Sequence, residues 1–158
     1  MKNRREFLKS TGLAAAAIGL GLPNFAMAKQ PADELFKISL AEWSLNRPLF
    51  AGRMDHLDFA RLAKKANIDA VEYVNQFFKD KATDMAYLKE MKTRADGEGV
   101  TSVLIMCDGE GMLGAPTSEG RKETVENHKK WVEAAKFLGC HAIRVNSYTA
   151  VPYSTAKD

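Results

Sequence analysis

The chain has 158 residues, 46% hydrophobic and 27% charged, with 23 Lys and Arg against 20 Asp and Glu, and two cysteines. That composition excludes disordered, collagen-like and disulfide-dense classes, and the length suits one modest domain. The formal charge of +3 would point to a nucleic-acid or membrane partner only if the folded part carried it.

The first 28 residues hold that charge. Lys2, Arg4, Arg5 and Lys9 stand against Glu6 alone, which leaves nineteen basic and nineteen acidic side chains in the remaining 130 residues. The basic start is followed by a twelve-residue apolar run, Thr11–Leu22, and by Ala26-Met27-Ala28, the layout of a secretory signal with a small-residue cleavage site. Twelve residues fall short of the roughly 20 that span a bilayer. Asn3-Arg4-Arg5-Glu6-Phe7-Leu8-Lys9 resembles the twin-arginine export motif and departs from it at the first position. The expected organisation is a signal over residues 1–28, a linker over 29–35 and a domain over 36–158. That domain is periplasmic or otherwise exported, with no stable membrane span after processing. An uncleaved N-terminal anchor is the alternative, and the Ala-Met-Ala site argues against it. The neutral remainder has only short like-charge pairs, Lys64-Lys65 and Lys129-Lys130, so no nucleic-acid partner is expected.

From Leu35 onward short apolar runs alternate with longer amphipathic ones. Phe36–Trp43 predicts a first strand, and Asp55 with Asp58 predicts a helix start. Phe59, Leu62, Ala63 and Ala66 then share one helical face. Ala70–Val74 predicts a second strand. Met85, Leu88, Met91 and Ala95 mark a second helix ending in the turn Asp96–Gly99. Val100–Cys107 is nearly continuously apolar, as a strand buried on both faces is. After the Gly/Pro-rich loop Asp108–Ser118, the longest helix is predicted with Val125, His128, Val132 and Ala135 on its face and Gly139 as its stop. His141–Val145 predicts a fourth strand. Such alternation builds a parallel sheet with right-handed crossovers, either open and doubly wound or closed into a barrel. A complete eight-stranded barrel takes roughly 250 residues, so four strands amount to about half of one.

Particular stretches resemble the sugar phosphate isomerase/epimerase family of xylose-isomerase-like barrels. They are Ser39–Leu45, Ala70–Val74, Ile105–Gly111 and Trp131–Cys140 running into Arg144-Val145-Asn146. The resemblance covers nearly all of residues 35–147. It implies an α/β fold, a partial (β/α)8 TIM barrel of about four parallel strands with three crossover helices. It also implies metal-assisted proton transfer on a ketose or aldose, with Mn²⁺, Mg²⁺, Co²⁺ or Zn²⁺ holding neighbouring substrate oxygens. In that family the metal ligands and both catalytic glutamates come from strands five to eight, which this chain does not reach. The resemblance therefore implies a fragment inactive alone, with no catalytic residue and no metal ligand of its own. The alternative is a non-catalytic, carbohydrate-binding or self-associating half-barrel, for which a homo-oligomer is expected because both sheet edges are open. An apurinic-site endonuclease of the same superfamily needs histidine ligands where Asn75 and Cys107 stand.

Barrel sites form at the C-terminal ends of strands. The candidate substrate-binding residues are thus Trp43, Glu72, Asp108 and Asn146, with Glu42, Cys107 and Glu110 beside them. Strand alternation would set Glu42 and Trp43 on opposite faces. Trp43 is expected as an apolar wall for a sugar ring or as packing under a helix. Glu72, a mid-strand charge, needs substrate or a structural partner such as Arg144. Asp108 and Glu110 are either hydroxyl binders or plain loop acids, and Asn146 is a hydroxyl binder. His56, His128 and His141 read as structural. The Gly109–Gly114 loop lacks the Lys-Ser/Thr of a phosphate loop. Cys107 and Cys140 fall at opposite ends of neighbouring strands, beyond disulfide reach.

Overall fold

Strand-forming and helix-capping signals alternate along residues 36–152, the part of the chain that the structure, a computed structural model, describes. Phe36 and Lys37 belong to the unit Met1–Lys37, and every element below lies in the unit Ile38–Asp158. The signal and linker expected over residues 1–28 and 29–35 lie outside the described residues. Four strands, β1 (Leu40–Ala41), β2 (Ala70–Val74), β3 (Thr101–Met106) and β4 (Ala142–Arg144), form one parallel sheet in the order β1-β2-β3-β4. The helices are α1 (Asn46–Phe50), α2 (Phe59–Lys65), α3 (Met85–Glu98) and α4 (Ser118–Leu138), with short 3₁₀ turns between them. This is the expected βα alternation, with α2, α3 and α4 as the three crossovers. Among the described residues no helix is long and apolar enough to cross a membrane.

Local chemistry sets the boundaries. Side-chain oxygens of Asp55, Asp84 and Thr117 accept from the backbone N–H groups of Leu57, Tyr87 and Gly120 at 2.9, 3.0 and 3.1 Å. Each satisfies a donor that a helix start leaves orphaned. Helices α3 and α4 stop where Gly99 and Gly139 take left-handed φ of 66° and 85°. The following N–H groups then reach back, Val100 to Ala95 O and Cys140 to Ala135 O, both at 2.9 Å.

One face of the sheet is sealed. Val71, Tyr73 and Ile105 pack with Phe59 and Ala63 of α2, Leu88, Met91 and Ala95 of α3, and Trp131, Ala135 and Leu138 of α4. Burying each large apolar side chain stabilises the fold by roughly 1.5–3 kcal/mol. The opposite face carries two rows set by the register, Ala41, Glu72, Leu104 and Ala142, then Val74, Met106 and Arg144. Apart from Val74, these side chains are half-buried or exposed. A strand buried on both faces, as the apolar run Val100–Cys107 suggests, is therefore not what β3 is among the described residues.

Two further expectations are corrected. The first strand is Leu40–Ala41 rather than Phe36–Trp43, because the chain turns into a 3₁₀ helix at Glu42–Leu45. The buried face of α4 is Thr124, His128, Trp131, Ala134, Ala135 and Leu138, while Val125 and Val132 are 50% and 48% exposed. Trp131 decides that rotation. Its ring meets Phe78 edge-on at 5.2 Å, and so large an apolar surface outweighs two valines.

Candidate functional site at the strand ends

Residues just beyond the C-terminal ends of β2, β3 and β4 converge on Asp108. Its Oδ1 accepts from Arg144 Nη1 at 3.0 Å and from Asn146 Nδ2 at 2.5 Å, and its Oδ2 accepts from Gln76 Nε2 at 3.4 Å. Arg144 Nη1 also donates to Asn146 Oδ1 at 2.6 Å. Asn75, fully buried at the end of β2, grips the backbone of Asp108 from both sides. Its Oδ1 accepts from Asp108 N at 2.9 Å and its Nδ2 donates to Asp108 O at 3.0 Å. The same Nδ2 lies 3.2 Å from Glu110 Oε1. Asp108 is thus no plain loop acid, since it joins three strand ends.

Glu110 is buried beneath this network. Burial alone would raise its carboxyl, but Lys130 at 2.9 Å, with Lys79 nearby, outweighs burial and holds the group below the ordinary carboxylate value. Close approach explains the neighbouring glycine. Gly111 has φ of 112°, and a Cβ there would collide with Thr124, whose hydroxyl donates to Gly120 O at 2.9 Å.

Beside the polar network stands an aromatic shelf. Trp43 meets Phe50 edge-on at 6.1 Å and lies 6.3 Å from Phe77, and Phe50 and Phe77 are 5.0 Å apart. Trp43 and Phe50 are 46% and 61% exposed, unusual for rings of this size. Phe77 and Gln76 share the 3₁₀ turn Asn75–Phe77, so one turn links shelf and network.

Of the four substrate-binding candidates, Asp108 and Asn146 are brought into direct contact and Trp43 stands on the shelf. Glu72 is apart. It is half-buried and accepts from Ser39 Oγ at 2.5 Å, so its partner is not Arg144, whose guanidinium is taken by Asp108. Glu42 and Trp43 do differ in exposure, but a 3₁₀ turn rather than strand alternation separates them. Glu42 is fully buried and accepts from His56 Nδ1 at 2.6 Å and from Val74 N at 2.9 Å. His128 donates from Nδ1 to Thr124 O at 2.7 Å within α4, and His141 is exposed. Cys107 and Cys140 are free thiols; burial pushes them up to about 12 and about 11. Neither is a ready nucleophile.

Asn75, Gln76, Phe50, Phe77 and Arg144 escaped the sequence reading as site residues. Position was the available signal, because Asn75–Phe77 directly follow β2 and Arg144 ends β4. A cleft of about 490 Å³ lies elsewhere, between α3 and α4, lined by Met85, Leu88, Ala134, Lys136 and Phe137. Its wall also includes Lys130, the ion-pair partner of Glu110, but none of Trp43, Phe50, Asn75, Gln76, Phe77, Asp108, Arg144 or Asn146.

The metal implied by the family resemblance finds no fitting ligand set among the described residues. Among the described residues no three His, Cys, Asp or Glu side chains come together to hold an ion. Asp108, Glu110 and Glu42 are each committed to protein donors.

No family model matches the chain, and no curated protein matches it. A solved structure does. The crystal structure of 3-keto-D-glucoside 4-epimerase from E. coli, in its apo form, superposes with a TM-score of 0.51 at 18% identity. The match covers 66% of this chain and 39% of that one. The likeness shows the fold. It is the four-stranded parallel α/β architecture of a TIM-barrel-like protein, and the chain spans about two fifths of the epimerase's length.

Proposed function

We propose that this chain is part of an exported sugar isomerase/epimerase-like barrel and that its strand-end rim binds a small carbohydrate. One observation carries the reading. An aromatic shelf adjoins a carboxylate–amide–guanidinium network at the C-terminal ends of parallel strands, where such folds place ligands. Exposed rings suit the C–H face of a pyranose, and Asp108, Asn146 and Gln76 offer both acceptors and donors to adjacent hydroxyls. The epimerase that shares the fold acts on a keto-glucoside, which supports the carbohydrate class.

These residues bind and orient. Asp108, Glu110 and Glu42 are held by Arg144, Lys130 and His56, and Glu72 by Ser39, so the part we assign to these residues is recognition rather than proton transfer. In the full reading, a divalent metal and the groups that move the proton lie on further strands. Export rests on the N-terminal segment alone. Conservative Arg4→Lys and Arg5→Lys substitutions together are expected to keep the chain in the cytoplasm on cell fractionation.

The direct test of the site is calorimetric titration with methyl β-D-glucopyranoside and a panel of ketoses. Trp43→Ala is expected to weaken binding by about two- to twelvefold, on the scale of one stacking contact of 0.5–1.5 kcal/mol. Equal affinity in wild type and variant would remove the shelf from the site.

A second reading, a self-associating half-barrel, is favoured by the half-buried apolar side chains of Leu104 and Met106 on the sheet's open face, and by open edges on β1 and β4 among the described residues. A dimer in light scattering supports it, and a monomer at high concentration rejects it.

A further inference from the structure

Glu42 is a carboxylate with no exposed surface, beside an otherwise apolar layer. Burying such a charge costs several kcal/mol unless both oxygens are satisfied. Here they are, and their partners converge on one short segment. Oε2 accepts from Val74 N, the backbone group at the start of the 3₁₀ turn Asn75–Phe77. Oε1 accepts from His56 Nδ1, and the His56 ring stacks on Phe78, which closes that turn, at 4.7 Å and 18°. On the other side the ring lies parallel to Tyr87 at 6.0 Å and 9°. Among the described residues His56 Nε2 has no hydrogen-bond partner, so a single hydrogen bond and the rings of Phe78, Tyr87 and Tyr73 orient the imidazole.

The pair thus holds both ends of Val74–Phe78. Between those ends stand Asn75, which grips Asp108, Gln76, which reaches Asp108 Oδ2, and Phe77 of the aromatic shelf. Along the chain Glu42 also precedes Trp43. We infer that the Glu42–His56 pair is a positioning clamp that sets the turn Asn75–Phe77, and with it the hydrogen-bonding and stacking groups of the rim. Neither residue need touch a ligand. The effect on affinity rests on the carbohydrate reading; the effect on the turn does not.

The test compares the 158-residue chain with Glu42→Gln and His56→Gln in ¹H–¹⁵N spectra and in titrations with methyl β-D-glucopyranoside. A clamp predicts displaced side-chain amide signals for Asn75 and Gln76 and a displaced Trp43 indole signal in both variants. The backbone signals of Gly139 and Cys140, at the far end of the sheet, stay in place. Pyranoside affinity falls by at least the roughly two- to twelvefold of one lost stacking contact. A folded variant whose Asn75, Gln76 and Trp43 signals match wild type overturns the clamp. So does collapse of the whole spectrum in both variants, which would make the pair a general core element. If wild type binds no pyranoside, the carbohydrate reading fails, and the three signals still decide the clamp.

Discussion

The two faces of the sheet obey different rules. On the helix-facing side Val71, Tyr73 and Ile105 are sealed under three helices, with Trp131 and Phe59 filling the layer. On the other side Leu104, Met106 and Arg144 remain half-buried, and polarity rises toward the strand ends. The sealed face holds the fold together. The open face and its rim keep groups that a folded core would not tolerate unpaired, and these are the groups with chemistry to offer a ligand.

The contrast makes predictions of graded size. The largest falls on the sealed face, where Trp131→Ala is expected to destabilise the fold by about 3–5 kcal/mol. Met106→Ala on the open face is expected to cost less than about 2 kcal/mol, because the side chain is only half-buried. Chemical denaturation measures both, and equal costs would break the contrast. Asn75→Ala comes next. It strips the Asp108 backbone N–H and C=O of their side-chain partners and the Glu110 carboxylate of one donor, for an expected loss of about 1–3 kcal/mol.

Alkali probes the sealed face in another way. Burial raises Cys107 and Tyr73 to about 12 and Cys140 to about 11. Folding thus keeps these groups protonated at pH values where the unfolded chain would already ionise. Their contribution is complete below the ordinary thiol value near 9 and is lost as pH rises toward 11–12. Thermal stability should therefore fall steadily above pH 9, and a flat profile to pH 11 would contradict the raised values of both thiols. The smallest stability effect belongs to the rim. Asp108→Asn is expected to change stability by about 1 kcal/mol or less while weakening pyranoside binding several-fold.

Strand β2 was legible to the residue, and α4 to its glycine stop, because those signals are local; α3 instead runs on to Glu98, through most of the turn expected at Asp96–Gly99. The misplaced face of α4 shows where local reading ends. Val125 and Val132 fit a helical period as well as Trp131 does, and only the position of Phe78, 53 residues away, chooses between them. The short β1 has the same origin, since Glu42 is drawn into partners 14 and 32 residues distant. At the site, Asp108 and Asn146 were visible as strand-end residues. Their contact spans 38 residues and depends on the sheet register, and the same register sets Glu72 on β2 a row away from Arg144 on β4, so Ser39 is its partner.

The central claim is that the rim, not the cleft between α3 and α4, receives a carbohydrate. A ¹H–¹⁵N titration of the wild-type chain with methyl β-D-glucopyranoside tests it most directly. The account predicts saturable shifts at the Trp43 indole and at the side-chain amides of Gln76 and Asn146, with Leu88 and Phe137 unmoved. Shifts confined to Leu88, Ala134 and Phe137, or none at millimolar sugar, would contradict it.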